Sequence, residues 1–312
     1  MNVAAMMRPL ISERKGDKSM SGKSAHSSLD LPKRLNLPYF AYGLLKPTEI
    51  AHRQIKYLIK DDSCNACVYG SLWVRDGLPL LKIDKGGRVF GYLMYFNDDK
   101  VREAYTCISM FEPKQHYYWK EIELYESKVI ANTLVGRCPE KASIHIEVEQ
   151  WNGRDDPVFT KGLSVVDEML RNYAQEQFIS SPPDSFDWSR LFCLQMTYLF
   201  LWTAIERYAA LSYGPKLGPM EKVKRFGNDP AFKHALKRSV KRNDKVYDSR
   251  DPEAYGILDP LRSTASVQYY YLVRSNMSHR GKGAWKDGEI VRQSLIELYE
   301  IFRIILNEQM LS

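Results

Sequence analysis

An arginine and a histidine separated by four residues, Arg274 and His279, stand just before two glycines in V-R-S-N-M-S-H-R-G-K-G. The pair carries the groups needed to break RNA without a metal. The 2′-hydroxyl attacks its own adjacent phosphate, an imidazole takes the proton or positions the nucleophile, and a guanidinium holds the charge that builds on the phosphorane. Ser275, Asn276, Arg280 and Lys282 add hydrogen-bond donors suited to a phosphate backbone. A second candidate is Glu112, in the apolar setting M-F-E-P. If buried there, its carboxyl would have a raised pKa and serve as a general base. The alternative is a helix-end carboxylate paired with a nearby lysine.

These groups need elements to position them. Tyr270, Val273 and Met277 recur at helical spacing, and Gly281 and Gly283 are placed to end that helix just past His279. On one helix Arg274 and His279 point about 140° apart, so two such helices face to face, in a homodimer, would close a site that one cannot. A second helix is expected over 287–311, with Asp287 as N-cap and Val291, Leu295, Leu298, Phe302 and Ile305 as its apolar stripe. Residues 191–208 read as a strongly apolar helix ending in Glu206 and Arg207. Its most apolar run is short and interrupted by Gln195, Thr197 and Thr203, which predicts a buried helix and no membrane span.

The F-L-W-x-A-I-E-R helix, a variable middle, the R-x4-H helix with R-G-K-G after it and a last amphipathic helix together resemble the HEPN domain. The resemblance covers about 183–312. It implies an all-α bundle, and an endoribonuclease that works as a dimer without a metal, with Arg274 and His279 as its catalytic pair. It also suggests a toxin or a role in defence against phage. Members of the family commonly carry Asn or Asp directly after the arginine, where this chain has Ser275 and then Asn276.

The net charge of +7 is concentrated. Between Lys216 and Arg250 there are 11 lysines and arginines against Glu221, Asp229, Asp244 and Asp248, leaving the rest of the chain close to neutral. Such an excess favours a polyanion through counterion release, and RNA is the partner it suggests; a solvated basic face is the alternative. Cysteines are few and odd in number, as expected of a reducing, cytoplasmic setting. Cys64 and Cys67 form a lone C-x-x-C with no second ligand pair, so ordinary thiols are expected and no metal or cofactor is assigned.

Residues 1–35 are rich in Ser, Lys and Arg without periodicity and read as a disordered basic leader, or in part as an over-extended start with Met20 as the first residue. From Leu37 the texture changes to short apolar strands broken by glycine, interrupted by a helix over 98–110 capped by Asp98 or Asp99. The succession Y-G-L-L (Tyr42, Gly43, Leu44, Leu45), Y-G-S-L, D-G-L-P, V-F-G, then Glu112 and Tyr117 or Tyr118, resembles the γ-glutamylcyclotransferase and AIG2-like family over about 37–159. That resemblance implies a small mixed β-barrel. Its cavity would be bounded by Tyr42, Gly43, Leu44, Leu45, Tyr117 and Tyr118 with Glu112 as the base, and would release 5-oxoproline from γ-glutamyl amines or peptides. Leu44 stands where Ser is usual and Pro113 where Gly is usual, so a smaller or less polar ligand is expected if Leu44 points inward.

The expectation is therefore an α+β chain. A β-barrel domain over 36–178 is joined through the S-S-P-P-D-S linker of 179–185 to a helical domain over 186–312 that cleaves RNA, and the first domain binds an unspecified small molecule. The rival function is a cyclotransferase in which the helical domain serves dimerisation or RNA binding.

Overall fold

The computed structural model describes residues 29–47, 49–75, 77–153, 156–178, 183–214, 217–251, 253–280 and 287–311. The chain is α+β. Its first part is built from strands β1 (Tyr39–Ala41), β2 (Cys64–Tyr69), β3 (Ser71–Arg75), β4 (Leu78–Lys82), β5 (Arg88–Met94), β6 (Tyr117–Glu123), β7 (Ile130–Gly136) and β8 (Ile144–Ile146). Helix α1 (Val101–Phe111) lies between β5 and β6.

A closed barrel is not what these strands make. Among the described residues they form two open sheets, one of five strands in the order β2-β5-β1-β7-β6 and one of three in the order β4-β3-β8. The physical reason lies at Gly70. It separates β2, paired with β5, from β3, paired with β4 and β8, so the chain leaves the first sheet there and enters the second. In the large sheet β1 runs antiparallel to β5 and parallel to β7, with Tyr39 opposite both Met94 and Asn132. Residues 29–35, assigned to the leader by composition, are drawn onto this sheet in part: Leu29 is buried, and the Asp30 carbonyl accepts the Trp119 indole N–H at 2.6 Å. Residues 1–28 of the expected leader lie outside the described residues.

The second part is helical: α2 (Leu163–Tyr173), α3 (Trp188–Tyr213), α4 (Pro219–Asn228), α5 (Pro230–Ser239), α6 (Ser263–Arg280) and α7 (Gly288–Leu311). Asp187 caps α3, accepting from the Arg190 amide at 2.9 Å, and Asp229 caps α5 in the same way from Ala231 at 3.0 Å. The region is not all-α. A hairpin of β9 (Asp244–Tyr247) and β10 (Tyr255–Leu258) packs on α6. The five apolar residues expected on α7 are all buried, and α3 buries Leu191, Leu194, Tyr198, Leu201, Trp202, Ile205 and Tyr208. One apolar core runs without a break from the β1 region to α7, with α2 packed on α3. No described helix is long and apolar enough to cross a membrane.

Candidate functional site

The first constellation forms around Glu112. Helix α1 buries Ala104, Tyr105, Ile108 and Phe111 on one side and stops at Glu112, whose backbone is extended (φ −96°, ψ 134°). Pro113 accounts for the stop, since the residue before a proline is driven out of the helical region. The Glu112 amide still closes the helix on the Ile108 carbonyl at 3.1 Å. Its side chain thus leaves the helix axis and lines a small cavity of about 20 Å³ with Tyr39, Tyr42, Leu44, Leu45 and Tyr117. That is room for about one water.

The cavity is ordered by hydroxyls already committed elsewhere. Tyr42 donates to the Leu134 carbonyl at 2.7 Å and accepts the Leu81 amide at 3.1 Å, while Tyr117 donates to the Pro79 carbonyl at 2.9 Å. Among the described residues the Glu112 carboxyl accepts no hydrogen bond and meets no cation, although Glu112 is only 9% exposed. Burial alone pushes its pKa up to about 7. A carboxyl poised at neutrality can take a proton from a ligand that reaches it. The paired helix-end carboxylate is therefore not what the geometry provides.

Of the residues expected around this pocket, Tyr42, Gly43, Leu44, Leu45 and Tyr117 line it and Tyr118 does not. Neighbouring strand residues face opposite sides of a sheet, so Tyr118 points away and lies under the Arg137 guanidinium, 5.4 Å from its ring. Tyr39 and Leu134 line the cavity from outside those motifs, and Pro79, the last residue of D-G-L-P, lines it as well.

The second constellation is on α6, near its C-terminal end. Arg274 is 27% exposed, lies 3.7 Å from a Glu206 carboxylate oxygen of α3, and sits over the Tyr271 ring at 5.7 Å. Ser275 is buried. The Asn276 amide is taken up with the hairpin, accepting the Ser249 N–H at 3.0 Å and donating to the Tyr247 carbonyl at 2.8 Å. His279 and Arg280 belong to the last turn of α6, but their side chains lie outside the described residues, as does Lys282 entirely. Arg274 is thus placed beside Glu206 and not brought to the Glu112 cavity.

The basic segment divides into two groups. Arg242 is spent internally, bidentate on Glu297 at 2.7 and 3.0 Å with Asp244 as a further partner. Lys224, Lys233, Lys237, Arg238 and Lys241 are exposed on and just after α4 and α5. Cys64 and Cys67 are free thiols on β2.

No protein-family model matches the chain, and no curated protein does. Among solved structures it is similar to the crystal structure of an uncharacterized protein, PH0828, from Pyrococcus horikoshii. That similarity has 16% identity and a TM-score of 0.28, and covers 35% of this chain and 85% of the other.

Proposed function

We propose that the protein is a metal-independent endoribonuclease of the HEPN type, in which Arg274 and His279 act on RNA, a homodimer completes the site, and the β-rich part serves as a ligand-binding, regulatory module. A role as a toxin or in phage defence goes with that reading. The observation that carries it is the position of Arg274. A guanidinium left partly open to solvent near the end of α6, steadied by Glu206 and the Tyr271 ring, is available to a phosphate. The exposed cations of α4 and α5 suit the rest of an RNA backbone. The geometry favours two copies, because positions 274 and 279 diverge by about 140° on the single helix α6. Incubating the purified chain with RNA in EDTA tests this. Cleavage is expected to leave 2′,3′-cyclic phosphate ends and to be lost in Arg274→Ala and His279→Ala, and cutting of DNA at a similar rate would sink the idea.

A second reading has a specific observation behind it. The unpaired, buried Glu112, with its pKa near neutrality, suits a proton-transfer enzyme of the γ-glutamylcyclotransferase kind. The cavity of about 20 Å³, with Leu44 in its wall, weighs against turnover of a γ-glutamyl group without rearrangement, which is why a sensing role ranks ahead of it.

A further inference from the structure

Two consecutive residues of α3 point toward different parts of the molecule. Glu206 reaches toward Arg274. Successive helical residues diverge by about 100°, and Arg207 turns instead to the β-rich part. Its Nε donates to Asp156 Oδ2 at 3.2 Å, while the other oxygen of that buried carboxylate accepts the Val158 amide at 2.9 Å. The guanidinium also fills the space over Gly77, in the turn between β3 and β4. A Cβ on Gly77 would stand 2.7 Å from Arg207 Nη2, and Gly77 has a φ of +73° that favours glycine. Two residues further on, Pro79 is a wall of the Glu112 cavity and takes the Tyr117 hydroxyl on its carbonyl. Tyr117, pushed well up in pKa by burial, is drawn back by the positive charge of Arg207, so the guanidinium also lies within electrostatic reach of the cavity.

The cavity holds little more than a water, so any larger ligand must displace part of its wall. The β3–β4 turn cannot move outward freely, because it is seated on Arg207. Arg207 in turn cannot swing away without leaving the buried Asp156 carboxylate without its cation. Close-packed interiors pass such a displacement on. What remains is a shift of the last turns of α3, which carry Glu206.

We propose that Arg207 is a positioning residue coupling the Glu112 cavity to Arg274, so that a small molecule entering the cavity pushes the β3–β4 turn against Arg207 and resets the Glu206–Arg274 pair. The consequence for RNA cleavage rests on the endoribonuclease reading; the geometry does not.

A steric double-mutant cycle on the full chain tests it. Gly77→Ala places a methyl group against Arg207 and imitates the displaced turn. Two readouts are followed: the cleavage rate of a single-stranded oligoribonucleotide, and the Nε–Hε resonance of Arg274, assigned by its loss in Arg274→Lys. In the otherwise wild-type chain Gly77→Ala is expected to change the rate about fivefold or more and to shift the resonance. In an Arg207→Ala background, where the methyl group meets only Asp156 Oδ2 at 3.2 Å, Gly77→Ala is expected to produce a much smaller change in both. The backbone strain at position 77 is common to both backgrounds and cancels. Arg207→Lys, which keeps a cation for Asp156, replaces Arg207→Ala if that variant does not fold, and is expected to blunt the response. Equal responses in both backgrounds, or an Arg274 resonance unmoved by Gly77→Ala, would overturn the coupling. A chain that cuts no RNA yet shows the resonance response removes the nuclease reading and keeps the coupling.

Discussion

Glu112 illustrates how one residue is set by a neighbour in sequence and by distant residues in space. Pro113 ends α1 and turns the side chain out of the helix, and Tyr39, Tyr42 and Tyr117 then surround it without pairing with it. The consequence for stability has a definite sign. The folded-state pKa, about 7, lies above the ordinary 4.5, so the folded chain holds this proton more tightly than the unfolded chain. The stabilisation is complete below pH 4.5 and is lost as pH rises through 7. By pH 8 the ionised carboxyl is expected to cost on the order of 3 kcal/mol, which Glu112→Gln should restore. Urea unfolding of both proteins at pH 5 and pH 8 checks this; an unchanged difference between them across that range would show that Glu112 is solvated. Leu44 is the other single residue with a clear test. It lines the cavity, so Leu44→Ser enlarges and polarises the pocket. Release of 5-oxoproline from γ-glutamyl amines is expected to be weak in the wild type, raised in Leu44→Ser and abolished in Glu112→Gln. Robust wild-type turnover, lost in Glu112→Gln, would promote the cyclotransferase reading over the sensor.

At the level of elements, α6 presents Arg274 because a polar network holds the helix from behind. Arg242 bridges Glu297 of α7 to Asp244 of β9, the Tyr269 hydroxyl donates to Asp244 at 2.7 Å, and the Tyr270 hydroxyl donates to Glu297 at 3.0 Å. The result ties the segment after α5, the hairpin, α6 and α7 to one another. Desolvation costs make such a network a weak source of net stability while it is whole and a large loss when one partner is removed. Glu297→Ala is therefore expected to lower unfolding free energy by about 3 kcal/mol, because it leaves Arg242 and the Tyr270 hydroxyl short of an acceptor. Lys245→Ala, an exposed change over the Tyr247 and Tyr255 rings, is expected to cost less than about 1 kcal/mol. Chemical denaturation of the pair decides the matter, and similar losses for both would mean that the network is not buried as described.

On the scale of the whole molecule, α3 is shared by everything else. One side enters the core, Arg207 meets the β-rich part, Glu206 meets α6, and Gln54 and Arg53 reach it and α5 from the β-rich side. Along its remaining side Trp188, Phe192, Met196 and Phe200 repeat every fourth residue and stay exposed, with Val165 of α2 beside them. An exposed apolar stripe of that kind is suited to contact with another molecule. On the homodimeric reading proposed above, that partner is a second copy of the chain. Mixing the inactive Arg274→Ala and His279→Ala chains is expected to restore part of the RNA cleavage, and Met196→Glu is expected to prevent that rescue and shift sedimentation to the monomer. An active monomer would rule out the shared site.

What the sequence determined by itself was whatever depends on near neighbours. The apolar spacing of α3, α6 and α7 is strong enough to locate them, and Pro113 already marks the end of α1. Strand β7 is not legible in the sequence because I-A-N-T-L-V-G is buried almost throughout and shows no alternation, and α4 and α5 are obscured because their few apolar residues, such as Val223, Phe226, Phe232 and Leu236, stand among lysines. The residues of the Y-G-L-L turn and Glu112 could be named from their motifs, but the size of the cavity between them could not. Tertiary structure alone decided that the strands divide into two sheets at Gly70, that Leu44 lines the pocket, and that Arg242 is spent inside. It also put Arg207 against a glycine 130 residues earlier in the chain. Each of these depends on groups far apart in sequence, whose meeting is set by how the sheets and helices pack and not by the spacing of residues within any one of them.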